Sequence, residues 1–287
     1  MEIRTLDRVS FEDGLRAWND GFEGYAYAGR MTLAEWLEHL AHDEIAPEVS
    51  VIAFDGARPV GCVLSGMRET GGRKVAYNGG TGVAAEYRGK GVGGQLIEAS
   101  LERYRAAGAD VATLEVVTTN EPALRLYRRA GFEVADRLSV QECPHAVAPA
   151  HEDAQYRIVE FDPPTLAGLP FYRQDVPWQC QWQSVAGGRA VYLLSERGET
   201  LAYALVRRRH TALGEAMGVG LYQAAVAPGA QEAQDLLRHL VSHALEGAPR
   251  CVAMNIPASD PMTLAVLASL GFRETVAQFL MRREMWP

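Results

Sequence analysis

The 287-residue chain lacks the features that would mark it for a membrane, for secretion or for nucleic acid. It has no apolar run approaching the roughly 18 residues of a membrane span. Its start, Met1-Glu2-Ile3-Arg4, has no basic region followed by an apolar one, so no secretory leader is expected. The four cysteines, Cys62, Cys143, Cys180 and Cys251, lie far apart and form no Cys-x-x-Cys pair, so they suggest no disulfide framework. The net charge of −8 gives no basic footprint for general nucleic-acid binding. Lysine is almost absent: Lys74 and Lys90 are the only two, and every other cationic side chain of this class is arginine. These absences leave a soluble, cytoplasmic protein with no membrane or nucleic-acid partner, long enough for one or two domains.

What is present is a regular alternation of elements. Ile3–Leu6 reads as a short strand, and Ser10 with Asp13 caps a helix reaching Trp18. Gly21–Gly29 carries too much glycine and aromatic character to continue that helix. Thr32-x-x-Glu35 is a capping box that opens a second helix to about His42. Val49–Phe54 and Val60–Met67 read as a hairpin around Asp55–Pro59, and Val75–Val83 as the next strand. Helices over Gln95–Ala107 and from Asn120 to Ala130 flank the strand Val111–Val117, and Phe132–Val140 closes the set. This is a mixed α/β sheet. Cys143–Ala154, rich in alanine and proline, reads as a linker between domains over 1–142 and 155–287.

Between strand and helix lies Val83-Ala-Ala-Glu-Tyr-Arg-Gly-Lys-Gly-Val-Gly-Gly94, with four glycines and two cations, Arg88 and Lys90. A glycine-rich turn opening a helix leaves backbone N–H groups unpaired and aimed one way, where the helix dipole adds positive character. Taken alone it reads either as a cradle for phosphate or as a tight junction whose glycines serve geometry only.

Two motifs together make the first half resemble the GNAT family of acyl-CoA-dependent N-acyltransferases. Arg88-Gly89-Lys90-Gly91-Val92-Gly93 fits the family's Arg/Gln-x-x-Gly-x-Gly/Ala pattern, and Asn120-Glu-Pro-Ala-Leu-Arg-Leu-Tyr127-Arg-Arg-Ala-Gly131-Phe132 fits its second motif. The resemblance implies an acetyl-CoA co-substrate, no metal, and a small-molecule primary amine as acceptor. It implies that the amides of Gly89, Lys90, Gly91, Val92, Gly93 and Gly94 hold the pyrophosphate, with Arg88 in the same turn. Val83 and Ala85 would pair with the pantetheine arm as an added strand does, and Asn120 would bond to it. Tyr127 would protonate the departing thiolate; read alone it favours a core aromatic on an amphipathic helix. Many members carry a carboxylate base on the strand before the turn, but here that strand reads Tyr77-Asn78-Gly79-Gly80-Thr81-Gly82. Glu115, mid-strand in Leu114-Glu115-Val116, reads either as a substitute base, acting directly or through water, or as a surface or structural carboxylate, and Asn78 with Thr81 could order a water instead. Glu23, Tyr25 and Tyr27, in the glycine-rich segment, are the candidate acceptor contacts.

The second half repeats the order of the first at a period of about 140 residues. Aligning Leu270-Gly271-Phe272 with Ala130-Gly131-Phe132 sets Asp260 against Asn120 and Leu267 against Tyr127. Its counterpart of the glycine turn is Ala227-Pro228-Gly229-Ala230-Gln231-Glu232, where Pro228 removes an amide and Glu232 would repel phosphate. A degenerate GNAT-like domain without acyl-CoA is expected there, in a monomer or homodimer. His239 and His243, at i,i+4 on a helix, have no third metal ligand in the pattern and read as packed or solvated. Trp178 and Trp182 read as domain packing.

Overall fold

The computed structural model describes residues 1–25, 29–148, 155–211 and 213–286. The chain forms two compact units, one of Met1–Ala135 with Phe279–Pro287 and the other of Asp136–Gln278.

In the first unit the elements run β1 (Glu2–Thr5), α1 (Phe11–Gly21), α2 (Leu33–His42), β2 (Val51–Asp55), β3 (Arg58–Thr70), β4 (Arg73–Val83), α3 (Val92–Ala106), β5 (Val111–Val117) and α4 (Glu121–Arg129). Their boundaries follow local chemistry. Ser10 Oγ accepts from the Asp13 amide, and Thr32 with Glu35 closes the full capping box expected for α2. Asn120 caps α4 through its side chain, and Gly131, at φ +81°, lets the chain leave it. The strands order as β1-β2-β3-β4-β5, antiparallel except for the parallel pair β4–β5. Alternation along β2 sorts the two faces: Val51 and Ala53 pack with Leu96 and Leu101 of α3 and Tyr127 of α4, while Ile52 and Phe54 pack with Trp18 of α1 and Trp36 of α2.

Two strands that close the halves in sequence are β6 (Glu133–Cys143) and β12 (Arg273–Glu284). From Asp136 onward β6 belongs to the second unit, where Leu138–Cys143 pairs antiparallel with β11 (Cys251–Pro257). From Phe279 onward β12 belongs to the first unit and lies beside β5, with Met281 and Met285 entering the same core as Leu96 and Tyr127. Each unit is therefore completed by a strand from the other half of the sequence.

The second unit repeats the plan with β7 (Tyr156–Phe161), β8 (Arg189–Ser195), β9 (Thr200–His210), β10 (Ala216–Val226), α5 (Ala233–Leu245), β11 and α6 (Pro261–Ser269). Its order is β7-β8-β9-β10-β11-β6, and β10–β11 is again the parallel pair. The duplication reaches individual bonds. Phe132 N–H donates to Tyr127 O at 3.0 Å, and Phe272 N–H donates to Leu267 O at 3.0 Å. One face differs: where the first unit has α1 and α2, the second has short 3-10 turns, Pro163–Gly168, Trp178–Cys180 and Trp182–Ser184. Among the described residues no helix is long and apolar enough to cross a membrane.

Candidate active site

The site begins where two strands part. β4 pairs with β5 only as far as Asn78↔Leu114, yet it stays on β3 to Val83↔Gly61. Gly79 is the extra residue of a bulge, set between Ser65↔Asn78 and Leu64↔Gly80. Ala84 N–H donates to Val60 O at 2.9 Å, so by alternation Thr81 and Val83 turn their backbone groups away from β3. This makes a short open edge, the geometry that accepts an added extended segment. Ala85 follows, exposed, in the 3-10 turn Ala85–Tyr87.

At the end of that edge the chain turns into α3. Gly89 and Gly91 sit at φ +74° and +85°, a region that penalises any side chain with a Cβ. A Cβ built at Gly89, Gly91 or Gly94 meets nothing within 4 Å. At Gly94, which lacks a positive φ, internal packing therefore does not call for glycine. Gly91 is the N-cap of α3; no side chain caps the helix, and no acidic residue lies in its first turn. The first amides of a 15-residue helix thus face outward with their dipole uncompensated. Val92 itself is buried and anchors the turn to the core.

The two cations of the turn do different work. Arg88 donates from Nε to Val83 O at 2.8 Å and from Nη2 to Gly21 O at 3.1 Å and Glu23 O at 2.8 Å. Its guanidinium ties the end of α1 to the end of β4. Lys90, exposed at the rim, lies 5.7 Å over the Tyr87 ring. Glu23 enters this clamp through its backbone carbonyl, while the residue itself is exposed.

Below the edge lies a polar relay. Tyr127, only 6% exposed, has the Thr81 side chain as a polar neighbour. Thr81 in turn accepts from Asn78 Nδ2 at 2.9 Å and donates to Asn78 Oδ1 at 3.2 Å. Asn78 Oδ1 also accepts from Gly80 N–H at 3.1 Å, which braces the bulge. Burial pushes the Tyr127 phenol up to about 12 against the lowering effect of the nearby Thr81 side chain, with the neighbouring Tyr25 adding to the rise. Tyr25 stands edge-on to Phe22 at 5.8 Å. Asn78, Thr81, Tyr127 and Tyr25 are thus drawn together; Tyr27 lies outside the described residues.

Glu115 stands on the other side of the sheet. Its neighbours Leu114 and Val116 pack into the α3–α4 core, so alternation points Glu115 to the opposite face, where it accepts from the Tyr77 hydroxyl at 2.9 Å. It lies one residue past the last β4–β5 pair. Asn120 Oδ1 accepts from Ala123 N–H at 3.3 Å, fixing the start of α4.

The glycines of β4 explain the missing strand carboxylate. A Cβ at Gly80 would come within 2.7 Å of the Trp18 ring, and one at Gly82 within 3.0 Å of Phe22. Gly21 approaches the Gly82 backbone equally closely, at 2.8 Å from a built Cβ. The end of α1 occupies the space such side chains would take. Gly80→Ala is accordingly expected to lower stability by about 1–3 kcal/mol through overpacking, read as a lower urea midpoint at unchanged slope. Sequence periodicity does not find Trp18, Phe22 or the Tyr77–Glu115 pair; the i,i+4 spacing of Trp18 on α1 and Phe22 at its C-cap is the only signal.

The corresponding places in the second unit differ. α5 starts at Glu232, held at φ +52°, with Asp235 in its first turn. Leu267 is fully buried at the position of Tyr127, and Asn255 stands at that of Glu115. His239 lies 6.0 Å from the Tyr156 ring and His243 3.9 Å from Glu246; among the described residues no group of three ligands gathers.

Residues 12–132 match the acetyltransferase (GNAT) family. A stretch of 131 residues is 30% identical to an uncharacterised N-acetyltransferase of Archaeoglobus fulgidus, covering 44% of this chain and 89% of that protein. Shorter stretches are 46% identical over 55 residues to a mycothiol acetyltransferase of Corynebacterium aurimucosum and 34% identical over 87 residues to N-alpha-acetyltransferase 30 of Schizosaccharomyces pombe. These cover 19% and 30% of this chain and 18% and 58% of those relatives, less than two thirds of either. Among solved structures, a tandem GNAT protein from the clavulanic acid biosynthesis pathway has a TM-score of 0.67 at 17% identity, covering 100% of this chain and 99% of that one. A GCN5-related N-acetyltransferase from Sphaerobacter thermophilus has a TM-score of 0.70 at 12% identity, with 100% and 96% covered. At such identities the likeness is one of fold, and it extends over both units.

Proposed function

The chain belongs to the acetyltransferase (GNAT) family, and from that premise we propose that its first unit moves an acetyl group from acetyl-CoA to a primary amine of a small molecule by direct attack. The observation that carries this reading is the uncapped, acid-free start of α3 lying at the end of the open β4 edge. The amides of Gly89–Gly94 would hold the pyrophosphate, with Lys90 at the rim. The backbone of Val83 and Ala85 would take the pantetheine arm, and Asn120 would flank it. Arg88 serves by holding the wall rather than by touching phosphate, since its guanidinium bonds three carbonyls.

Acetyl-CoA supplies there a thioester whose carbonyl carbon an amine can attack, releasing a thiolate. Tyr127 is protonated at neutral pH and so has a proton to give at that sulfur, though its burial, which pushes it up to about 12, makes it a weaker acid than a free phenol; Thr81, held by Asn78, is its polar neighbour. Glu115, oriented by Tyr77, receives the proton that the amine must lose, through water or directly. Tyr25 and Glu23 lie at the acceptor side. We assign no acyl-CoA to the second unit, because Glu232 and Asp235 set negative charge where the first unit has bare amides.

Coenzyme release from acetyl-CoA, followed over a panel of small primary amines and of peptides with free N-termini, tests the proposal. Turnover confined to small amines supports it. Turnover confined to peptides favours the second reading, acetylation of protein N-termini, which the likeness to N-alpha-acetyltransferase 30 supports. Binding of acetyl-CoA with no release on any acceptor makes the protein a binding module.

A further inference from the structure

The C-terminal end of α1 takes its cation from outside the helix. Its last turn holds no basic residue, so its final carbonyls form the negative end of the dipole with no counter-charge of their own. Arg88 supplies one from 67 residues away. Its Nη2 donates to Gly21 O, at the last residue of α1, and to Glu23 O just beyond, while its Nε holds Val83 O. The segment it grips otherwise meets β4 as glycine on glycine. Gly21 lies against the Gly82 backbone, with the Phe22 ring over Gly82. Such an approach is close but has few directional bonds, and the guanidinium provides them.

Two footings of this clamp belong to the surface assigned to the coenzyme. Arg88 leads into the turn in which Gly89 and Gly91 stand at positive φ, and a Cβ at either would meet nothing within 4 Å. Val83 is the last residue of β4, at the open edge assigned to the pantetheine arm. The third footing serves the other substrate. Phe22 N–H donates to Trp18 O and Tyr25 N–H to Phe22 O, both at 2.9 Å, so the gripped segment carries Tyr25, the neighbour of the Tyr127 phenol.

Resting on the acyl-transfer reading above, we propose that Arg88 is a positioning residue through which bound coenzyme steadies the acceptor side. Phosphate on the turn and pantetheine on the edge stiffen two footings of the guanidinium, and the Gly21–Tyr25 segment stiffens with them. Rigidity passed on in this way couples two sites with no displacement of either. A lysine would keep the charge but not the planar fork that spans three carbonyls. An arginine that instead left these carbonyls for the pyrophosphate would uncap α1 on binding, an effect of opposite sign.

Hydrogen exchange of the full-length protein reads that sign, followed by mass spectrometry over Phe22–Tyr25 with and without coenzyme A, while titration calorimetry shows that the coenzyme is bound. In the unaltered protein, exchange over this segment should slow about fivefold or more on binding. In Arg88→Ala it should be about tenfold faster without ligand and should not respond to bound coenzyme A, which separates the clamp from shielding by the coenzyme itself. Arg88→Lys should behave as Arg88→Ala does. Exchange that coenzyme A quickens in the unaltered protein overturns the proposal, since the guanidinium has then gone to phosphate. Exchange unchanged by bound coenzyme A overturns it and leaves the acyl-transfer reading standing. A response kept in full by either variant overturns it as well. Absence of coenzyme A binding to the unaltered protein removes the acyl-transfer reading, and the coupling with it.

Discussion

Gly94→Asp is expected to weaken coenzyme A binding about a hundredfold while leaving the protein as stable as before, or slightly more so. The two effects part because they depend on different things. Gly94 is the third residue of α3, and a Cβ there meets nothing within 4 Å. Replacing glycine in a helix relieves a propensity cost, and an acid in the first turn complements the dipole by about 0.3–1 kcal/mol. The same carboxylate would stand among the amides assigned to pyrophosphate and repel it. Gly91→Asp would confuse the two effects, since φ is +85° there and any side chain is strained. Isothermal titration with coenzyme A beside thermal unfolding reads both quantities. Affinity within a factor of about two of the parent would remove the phosphate assignment.

Tyr127→Phe is expected to lower kcat by about 10²–10³ with the KM for acetyl-CoA nearly unchanged, as for loss of a general acid. Phenylalanine keeps the ring and its edge contact with Phe132 at 6.1 Å. Only the buried hydroxyl is removed, and Thr81 keeps both of its bonds to Asn78, so the change in stability should be within about 1 kcal/mol. The pH dependence has a definite sign. Folding holds the Tyr127 proton to about 12, above the ordinary value of 10.0. The contribution to stability is therefore whole below pH 10 and fades as pH rises toward 12, where the folded state retains a proton that the unfolded chain has shed. A loss of rate at a pH well under 10 must then belong to another group. Normal turnover in Tyr127→Phe would dismiss it as the acid.

Much of this was legible in residue order, and the rest was not for identifiable reasons. Thr32 with Glu35, and Asn120 with Pro122 and Gly131, mark their helices through bonds within one turn of chain. The strand Val111–Val117 appears with the boundaries its apolar run gives it. By contrast, α1 continues to Gly21, beyond the Trp18 end that local composition suggests. Gly21 breaks helices in isolation, but here it is what allows α1 to lie against the Gly82 backbone. α3 likewise begins at Val92, not Gln95, because Val92 is buried in the core. The Arg88 clamp spans 65 and 67 residues to its carbonyls on the α1 turn, and no periodicity reports such a bond. The bulge at Gly79 is visible only once β3 supplies a register.

The closing strand of the first unit has a consequence for how the protein is made. The residues that finish this sheet, from Phe279, are separated by about 160 positions from Val117 at the end of β5, the strand they lie beside. At about 5–20 residues per second, a ribosome has emitted nearly all of the first unit some 7–30 seconds before its last strand exists. During that interval the edge of β5 and the core positions awaiting Met281 and Met285 lie open in the nascent chain. The first unit is thus begun first and completed last, and its folding is tied to faithful synthesis of the second. A ribosome that stalls inside the second half leaves a first unit with an unpaired edge strand, a substrate for chaperones.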